Sequence, residues 1–202
     1  MPRFKSIPGE TPIDDVSGLI PKGVLTRGDL NKVEAVNIAK AMVKYLVGRL
    51  DEKAAPFDFV WFLQLHQEMF GDVWKWAGKL RTSATNIGVS PSQIETRLYD
   101  LTNNLPHWKD MPLIEQAALL HHEAVFIHPF KNGNGRWSRM LANIWLYRNG
   151  HPLTQWPDSS LSEESPIRTE YLAAIKAADN RDYDPLNELH RRHTPTDFEH
   201  GH

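Results

Sequence analysis

The chain contains no cysteine, which excludes disulfide bonds and thiolate metal sites and fits a reducing compartment. No run of about 18 apolar residues occurs, so no membrane span is expected. No apolar stretch of signal-peptide length follows Met1, and we therefore expect a cytoplasmic protein. Neither sign of charge dominates, since the formal net charge is −2, and this argues against direct binding of nucleic acid.

What is present is the composition of an ordinary globular protein. Of the 202 residues, 41% are hydrophobic and 24% are charged, which is close to the average for folded domains. A chain of this length can bury a substantial core, and the prior favours one domain. We therefore expect a single domain over residues 1–202, with an irregular arm at 1–29 and a polar tail at 193–202.

Apolar residues recur at spacings of three and four along most of the chain, which predicts a mainly helical fold. Between 78 and 92 the pattern changes to short β-prone alternations around a polar turn, which predicts a small hairpin. The expected class is therefore all-α with one hairpin. Helices are predicted at about 30–50 (capped by Asp29), after Pro56, at 92–108, from Pro112 to His128, at about 135–149, at 166–179 and after Asp184.

The most informative stretch runs from His128 to Arg139 and contains a glycine-rich turn that opens a helix. Glycine and asparagine tolerate left-handed backbone angles, so Gly133, Asn134 and Gly135 can turn tightly with their amides pointing one way. Unpaired amides at the positive end of a helix dipole attract anions. A tight turn with no ligand is the alternative interpretation of such a cluster.

Three side chains beside this turn favour phosphate chemistry over the alternative. Arg136 and Arg139 are three residues apart, so they occupy neighbouring positions on the helix and can grip the same anion. His128, at the entrance, is a proton acceptor near neutral pH. A phosphate cradle, two guanidinium groups and a base together describe a phosphoryl- or nucleotidyl-transfer site.

The stretch resembles the motif of the Fic family, His-Pro-Phe-x-(Asp/Glu)-Gly-Asn-Gly-Arg-x-x-Arg, and departs from it only at Asn132. Upstream, Phe70–Arg81 is similar to the family's segment leading into a hairpin flap. The run from Thr11 to Asn31 is similar to a Fic subgroup called mobile mystery protein B. The resemblance thus covers nearly the whole chain.

The resemblance implies a Fic fold, an all-α helical bundle with a small β-hairpin flap over the active site. It implies a protein adenylyltransferase that moves AMP from ATP to a Ser, Thr or Tyr hydroxyl of a target protein. His128 would be the general base. Phosphates would be bound by Gly133, Asn134, Gly135, Arg136 and Arg139. The flap would hold a segment of the target by edge-strand pairing. Its residues would be Thr85, Asn86, Ile87, Gly88 and Val89.

Asn132 stands where the family usually has a carboxylate that helps to hold Mg²⁺. An amide oxygen can still ligate Mg²⁺, but without a negative charge it should bind this hard cation less well. ATP and Mg²⁺ are the expected cofactors, with Asn132 as the metal residue. Two alternatives stay open: a catalytically weak or inactive nucleotide-binding regulatory module, and a Fic-type phosphotransferase.

Fic proteins are frequently held inactive by a glutamate that pairs with the second arginine of the motif. Glu34 is our candidate for this residue, and Glu163 and Glu164 are the alternatives. An exposed helix glutamate with no such role is the competing interpretation of each. The subgroup resemblance adds a DNA-binding regulator as a partner, and self-association of the chain is left open.

Overall fold

A computed structural model of the protein describes residues 16–196, and this range contains eight α-helices and no β-strand. Two 3₁₀ helices, Pro91–Gln93 and Leu105–Trp108, flank the third α-helix. No helix within 16–196 is long and apolar enough to cross a membrane. The helices are α1 (Arg27–Leu46), α2 (Phe59–Phe70), α3 (Ile94–Asn104), α4 (Leu113–Ile127), α5 (Asn134–Arg148), α6 (Asp158–Leu161), α7 (Pro166–Asp179) and α8 (Asp184–Arg192).

The predicted irregular arm and polar tail lie largely outside the described residues, which exclude 1–15 and 197–202. Between 16 and 26 the chain is irregular and is held by a single antiparallel bridge between Leu19 and Trp74. The loop predicted between α5 and α7 is interrupted by one short helix, α6.

Helix α1 begins earlier than predicted, because Thr26 and not Asp29 is its N-cap. The Thr26 hydroxyl accepts a hydrogen bond from the Asp29 amide at 3.1 Å, and the Asp29 carboxylate accepts one from the Thr26 amide at 3.0 Å. This reciprocal pair is a capping box, in which the acidic residue sits three positions inside the helix. Threonine and aspartate are both common N-cap residues, so residue type alone does not decide between Thr26 and Asp29.

The core places α5 at the centre of the molecule. Helix α4 packs along α5, and α1 packs against α2, with α5 contacting both α1 and α2. Aromatic side chains fill the space between α2, α5 and the α4–α5 connection, and these are Phe62, Phe70, Phe130 and Trp137, all fully buried. The connection between α4 and α5, which carries the glycine-rich turn, is therefore held on a rigid apolar base.

The predicted hairpin at 78–92 is absent, since no two strands pair within this segment. Instead, Leu80 forms an antiparallel bridge with Phe130, and the Arg81 amide donates to the Pro129 carbonyl at 2.9 Å. The segment thus pairs with the glycine-rich connection and not with itself. Short β-prone runs stabilise a two-stranded hairpin only marginally, so an external partner prevails.

Candidate active site

The turn between α4 and α5 contains two residues with left-handed backbone angles. His128 ends α4 at φ 52° and ψ 58°, and its amide donates to the Ala124 carbonyl at 3.2 Å. Gly133 caps the start of α5 at φ 80° and ψ 0°. A Cβ at Gly133 would lie 2.7 Å from the Phe70 ring, so both conformation and space require glycine there.

The Asn134 side chain closes this turn. Its Oδ1 accepts from the Phe130 amide at 2.9 Å, and its Nδ2 donates to the Phe130 carbonyl at 2.8 Å. The side chain is 2% exposed. Asn134 therefore fixes the turn through its side chain, while its own amide lies in the first turn of α5, where the helix dipole favours an anion.

Gly133 and Asn132 are arranged differently from the sequence-based expectation. The Gly133 amide donates to Asn132 Oδ1 at 2.7 Å, so this amide is already engaged and does not point freely at a ligand. No side chain of the described residues caps α5. The backbone positions that remain for phosphate binding are those of Asn134 and Gly135.

His66 is a structural member of the site that the sequence did not single out. Its Nε2 donates to the Asn132 carbonyl at 3.0 Å, and its Nδ1 accepts from the Gly78 amide at 3.0 Å. Burial lowers the pKa of His66 to about 3. The ring is therefore neutral, and its Nδ1 can accept the hydrogen bond from the Gly78 amide. The imidazole thus ties the glycine-rich turn to the start of the 78–92 segment.

Arg136 is paired with the predicted inhibitory glutamate. Its Nη1 lies 2.7 Å from Glu34 Oε2, and its guanidinium carbon lies 4.9 Å from the centre of the Phe70 ring. Glu34 is 1% exposed, and its Oε1 accepts from Trp74 Nε1 at 2.7 Å. Glu34 therefore contacts the first motif arginine, although the sequence resemblance pointed to the second.

Arg139 pairs with a different carboxylate. Its Nε and Nη2 donate to Asp158 Oδ1 at 3.2 and 2.9 Å. A Cβ at Gly135 would lie 3.6 Å from Arg139 Nη1, which shows that the guanidinium points back toward the start of α5. The alternative inhibitory residues, Glu163 and Glu164, are both exposed in the segment after α6.

His128 is 6% exposed, and its environment favours the neutral imidazole. Burial lowers the pKa of His128 to about 4, the nearby Arg81 lowers it as well, and a hydrogen bond with the Val125 backbone partly opposes them. A neutral imidazole is the form that accepts a proton, so His128 is in the state that a general base needs at neutral pH.

One of the predicted flap residues, Gly88, lies against His128, and the segment around it forms no strand. A Cβ at Gly88 would lie 2.4 Å from His128 Cβ, so the backbone of the segment touches the histidine there. Thr85 Oγ1 donates to the Ile87 carbonyl at 2.5 Å, which forms a local turn. Arg81, which the sequence analysis did not identify, donates to carbonyls of this segment and of His128.

Comparisons with known proteins point to one family. Residues 56–146 match the model of the Fic/DOC family. Protein adenylyltransferase fic-1 of Caenorhabditis briggsae is 31% identical over 139 residues, which is 65% of this chain and 26% of that protein. Protein adenylyltransferase Fic of Drosophila ananassae is 32% identical over 131 residues, 61% of this chain and 25% of that protein. The chain spans about a quarter of the length of these curated relatives.

Solved structures show the same fold. Fic-1 from C. elegans superposes with a TM-score of 0.65 at 24% identity, over 94% of this chain and 51% of that chain. The BepC protein from Bartonella tribocorum, with bound AMPPNP, superposes with a TM-score of 0.65 at 19% identity, over 87% of this chain and 91% of that chain. Residues 56–146 therefore match the Fic/DOC family model, and the chain shares the fold of these solved structures.

Proposed function

We propose that this protein is an adenylyltransferase that moves AMP from ATP to a Ser, Thr or Tyr hydroxyl of a target protein. The observation that carries the proposal is the turn between α4 and α5, which joins a buried, neutral His128 to the N-terminus of a helix bearing Arg136 and Arg139. The names of the relatives, protein adenylyltransferases, support the same reaction. Cytoplasmic location stays a prediction from the sequence.

In the proposed reaction the acceptor hydroxyl loses its proton to the His128 imidazole. Its oxygen forms a bond to the α-phosphorus of ATP while the bond to the bridging oxygen breaks, so that pyrophosphate leaves. The amides of the first turn of α5 and the guanidinium groups of Arg136 and Arg139 balance the charge of the leaving group. Before they can bind phosphate, Arg136 must break its ion pair with Glu34 and Arg139 its ion pair with Asp158.

Asn132 fits Mg²⁺ only as a weak ligand. Its Oδ1 already accepts a hydrogen bond from the Gly133 amide, and the side chain carries no charge. No group of three His, Asp or Glu side chains able to hold a metal occurs among residues 16–196. Bound Mg²⁺ would shield phosphate charge, with most of its ligands supplied by ATP and water.

The neutral residue at 132 is also the observation that favours the second candidate function, a nucleotide-binding module with little catalysis. A phosphotransferase is the third candidate. It would use the same residues, but the acceptor hydroxyl would attack the γ-phosphorus of ATP. Target docking by residues 85–89, a DNA-binding regulator as partner, self-association and membership of the mobile mystery protein B subgroup remain predictions from sequence.

Incubating the protein and a cell lysate with labelled ATP separates these candidates. Compared with lysate incubated alone, we expect this protein to add label from α-phosphate, and not from γ-phosphate, because pyrophosphate carries the γ label away. A rise in γ-phosphate label above that of the lysate alone would indicate phosphorylation by this protein. Nucleotide binding with neither label would support the regulatory module and contradict the proposed transfer.

Replacing Glu34 with glycine is expected to raise AMP transfer by about tenfold, a change of about 1.4 kcal/mol in activation free energy. The Glu34 carboxylate occupies Arg136, so its removal leaves this guanidinium for phosphate. Glu34→Gln is expected to act in the same direction, because a neutral amide retains the shape and competes less strongly. The measurement is initial rate of label transfer from α-labelled ATP.

The matched control for Glu34 is Glu164→Gln, which removes a carboxylate from the exposed alternative candidate. We expect its rate to equal that of the unaltered protein. Unchanged transfer in both Glu34 variants, at saturating and limiting ATP, would show that the Glu34–Arg136 pair does not restrain the reaction.

A further inference from the structure

One buried arginine outside the glycine-rich motif holds two parts of the site together. Arg81 is 6% exposed, and its guanidinium donates hydrogen bonds to backbone carbonyls. Its Nε donates to the His128 carbonyl at 2.7 Å, its Nη1 to the Ser83 carbonyl at 3.0 Å, and its Nη2 to the Val89 carbonyl.

These three bonds connect positions that are separate in the chain. The Ser83 and Val89 carbonyls lie near the two ends of the segment 82–90, so bonding both closes it into a loop. The His128 carbonyl belongs to the end of α4. The guanidinium presents its donors in a rigid planar fork, so a single side chain can fix both ends of the loop and its distance from His128.

The contact at Gly88 shows how closely the loop is held. A Cβ at this glycine would lie 2.4 Å from His128 Cβ and 2.9 Å from Arg81 Nη2, and Gly88 has φ +95°. The backbone amide pairing of Arg81 with Pro129, at 2.9 Å, holds the entry to the loop at the same place. Any side chain at position 88 would push the loop away from the histidine.

We propose that Arg81 is a positioning residue that locks the 82–90 loop in one conformation against His128 and so sets where an acceptor protein meets the base. The inference rests on the proposed function, since it concerns placement of the acceptor hydroxyl. The guanidinium is engaged with the carbonyls of His128, Ser83 and Val89, so Arg81 acts through the backbone of the loop. The loss of its three bonds should therefore affect acceptor use more than nucleotide use.

The test compares Arg81→Met with Lys79→Met, which removes an exposed cation two residues away. In Arg81→Met we expect amide hydrogen exchange in 82–90 to rise by about tenfold or more, because the loop can then open without first breaking these three hydrogen bonds. NMR between about pH 5.5 and 7, where the fold is retained, should show the His128 ring beginning to gain a proton in Arg81→Met but not in the unaltered protein. The pKa of His128 should rise from about 4 toward about 6.5 in the variant, because the ring becomes solvated and loses a nearby positive charge. Lys79→Met should change neither quantity.

The kinetic measurement uses lysate protein as the acceptor and α-labelled ATP as the donor. We expect the apparent KM for lysate protein to rise by about tenfold in Arg81→Met, with the KM for ATP within about twofold of the unaltered protein. Equal rises in both KM values, or wild-type exchange in 82–90, would overturn the positioning role. If the unaltered protein transfers no label, the proposed function fails, and exchange and titration still decide whether Arg81 holds the loop.

Gly88→Ala provides a second variant should Arg81→Met fail to fold. It keeps the Arg81 side chain, and the added Cβ would press on His128 Cβ at 2.4 Å and on Arg81 Nη2 at 2.9 Å, so the loop must move away from both. We expect the same direction of change in exchange, in the pKa of His128 and in the KM for lysate protein. A Gly88→Ala protein that matches the unaltered one in all three would contradict the proposal.

Discussion

Replacing His128 with alanine is expected to lower the rate of AMP transfer by about 10²–10⁴-fold, the usual contribution of a positioned general base. The imidazole is buried and its pKa is lowered to about 4, so it is neutral and ready to take a proton above that pH. The glycine-rich turn and the two arginines are unaltered in this variant, so nucleotide binding should persist. The measurement is label transfer from α-labelled ATP in single turnover, with nucleotide affinity determined separately.

Because His128 has a left-handed backbone conformation, a second variant is needed beside His128→Ala. At φ 52° a side-chain-bearing residue is strained, and asparagine tolerates this region better than alanine. His128→Asn therefore removes the base with the smaller effect on folding, and we expect the same loss of transfer. His107→Ala, at an exposed position, controls for the loss of a histidine elsewhere. Transfer within about threefold of the unaltered rate in His128→Asn would rule out general-base catalysis by this residue.

The sequence predicted those parts of the fold that depend on local chemistry. Helix α7 lies at Pro166–Asp179, as the spacing of its apolar residues predicted. The left-handed Gly133 at the start of α5 also follows from residue type. The start of α1 was misplaced by three residues because both Thr26 and Asp29 are good caps, and only their mutual hydrogen bonds decide between them.

The parts that could not be predicted depend on partners distant in the chain. The 78–92 segment has a hairpin pattern, but Leu80 and Arg81 pair with the connection between α4 and α5 some 48 residues later. His66 and Arg81 look in the sequence like a core histidine and a surface arginine. Their function depends on which backbone groups their side chains reach, and residue type alone does not predict those partners.

Acidification is expected to destabilise the fold strongly, because four buried histidines are held neutral. Burial lowers the pKa of His66 and of His190 to about 3, that of His128 to about 4, and that of His121 to well below its usual value. In the unfolded chain a histidine titrates near about 6.5. Below that pH the unfolded state binds more protons than the native state, so the free energy of unfolding falls with pH.

The contacts of one histidine pair show why protonation is so unfavourable. His121 Nδ1 and His190 Nε2 lie 3.1 Å apart and share one proton between them, while His121 Nε2 bonds to the Tyr171 hydroxyl at 3.0 Å. His190 Nδ1 bonds to Thr154 Oγ1 at 3.0 Å. Charging both rings would place two N–H donors face to face in a site closed to water.

His66, His128 and His190 should each reduce the free energy of unfolding by about 2 kcal/mol at about pH 5, since one pKa unit corresponds to about 1.4 kcal/mol. Together they give about 6 kcal/mol, which is comparable with the whole stability of a typical domain, and His121 acts in the same direction. We therefore expect helical structure, measured by far-UV circular dichroism, to be lost between about pH 5 and about pH 4. Urea titrations at intermediate pH should show the free energy of unfolding falling continuously below about pH 6.5.

His122 acts with the opposite sign but cannot reverse the trend. Burial lowers its pKa, but hydrogen bonds to Glu123 and Asp179 and their charges raise it overall. Its contribution is therefore present below about pH 6.5 and is lost as pH rises through the native value. One such group acts against four, so the net slope keeps its sign.

His190→Asn should lessen the slope of the free energy of unfolding against pH, between about pH 5 and 6.5, by about 1.4 kcal/mol per pH unit. Equal unfolding free energies at about pH 7 and about pH 5 would mean that these histidines are protonated in the native protein.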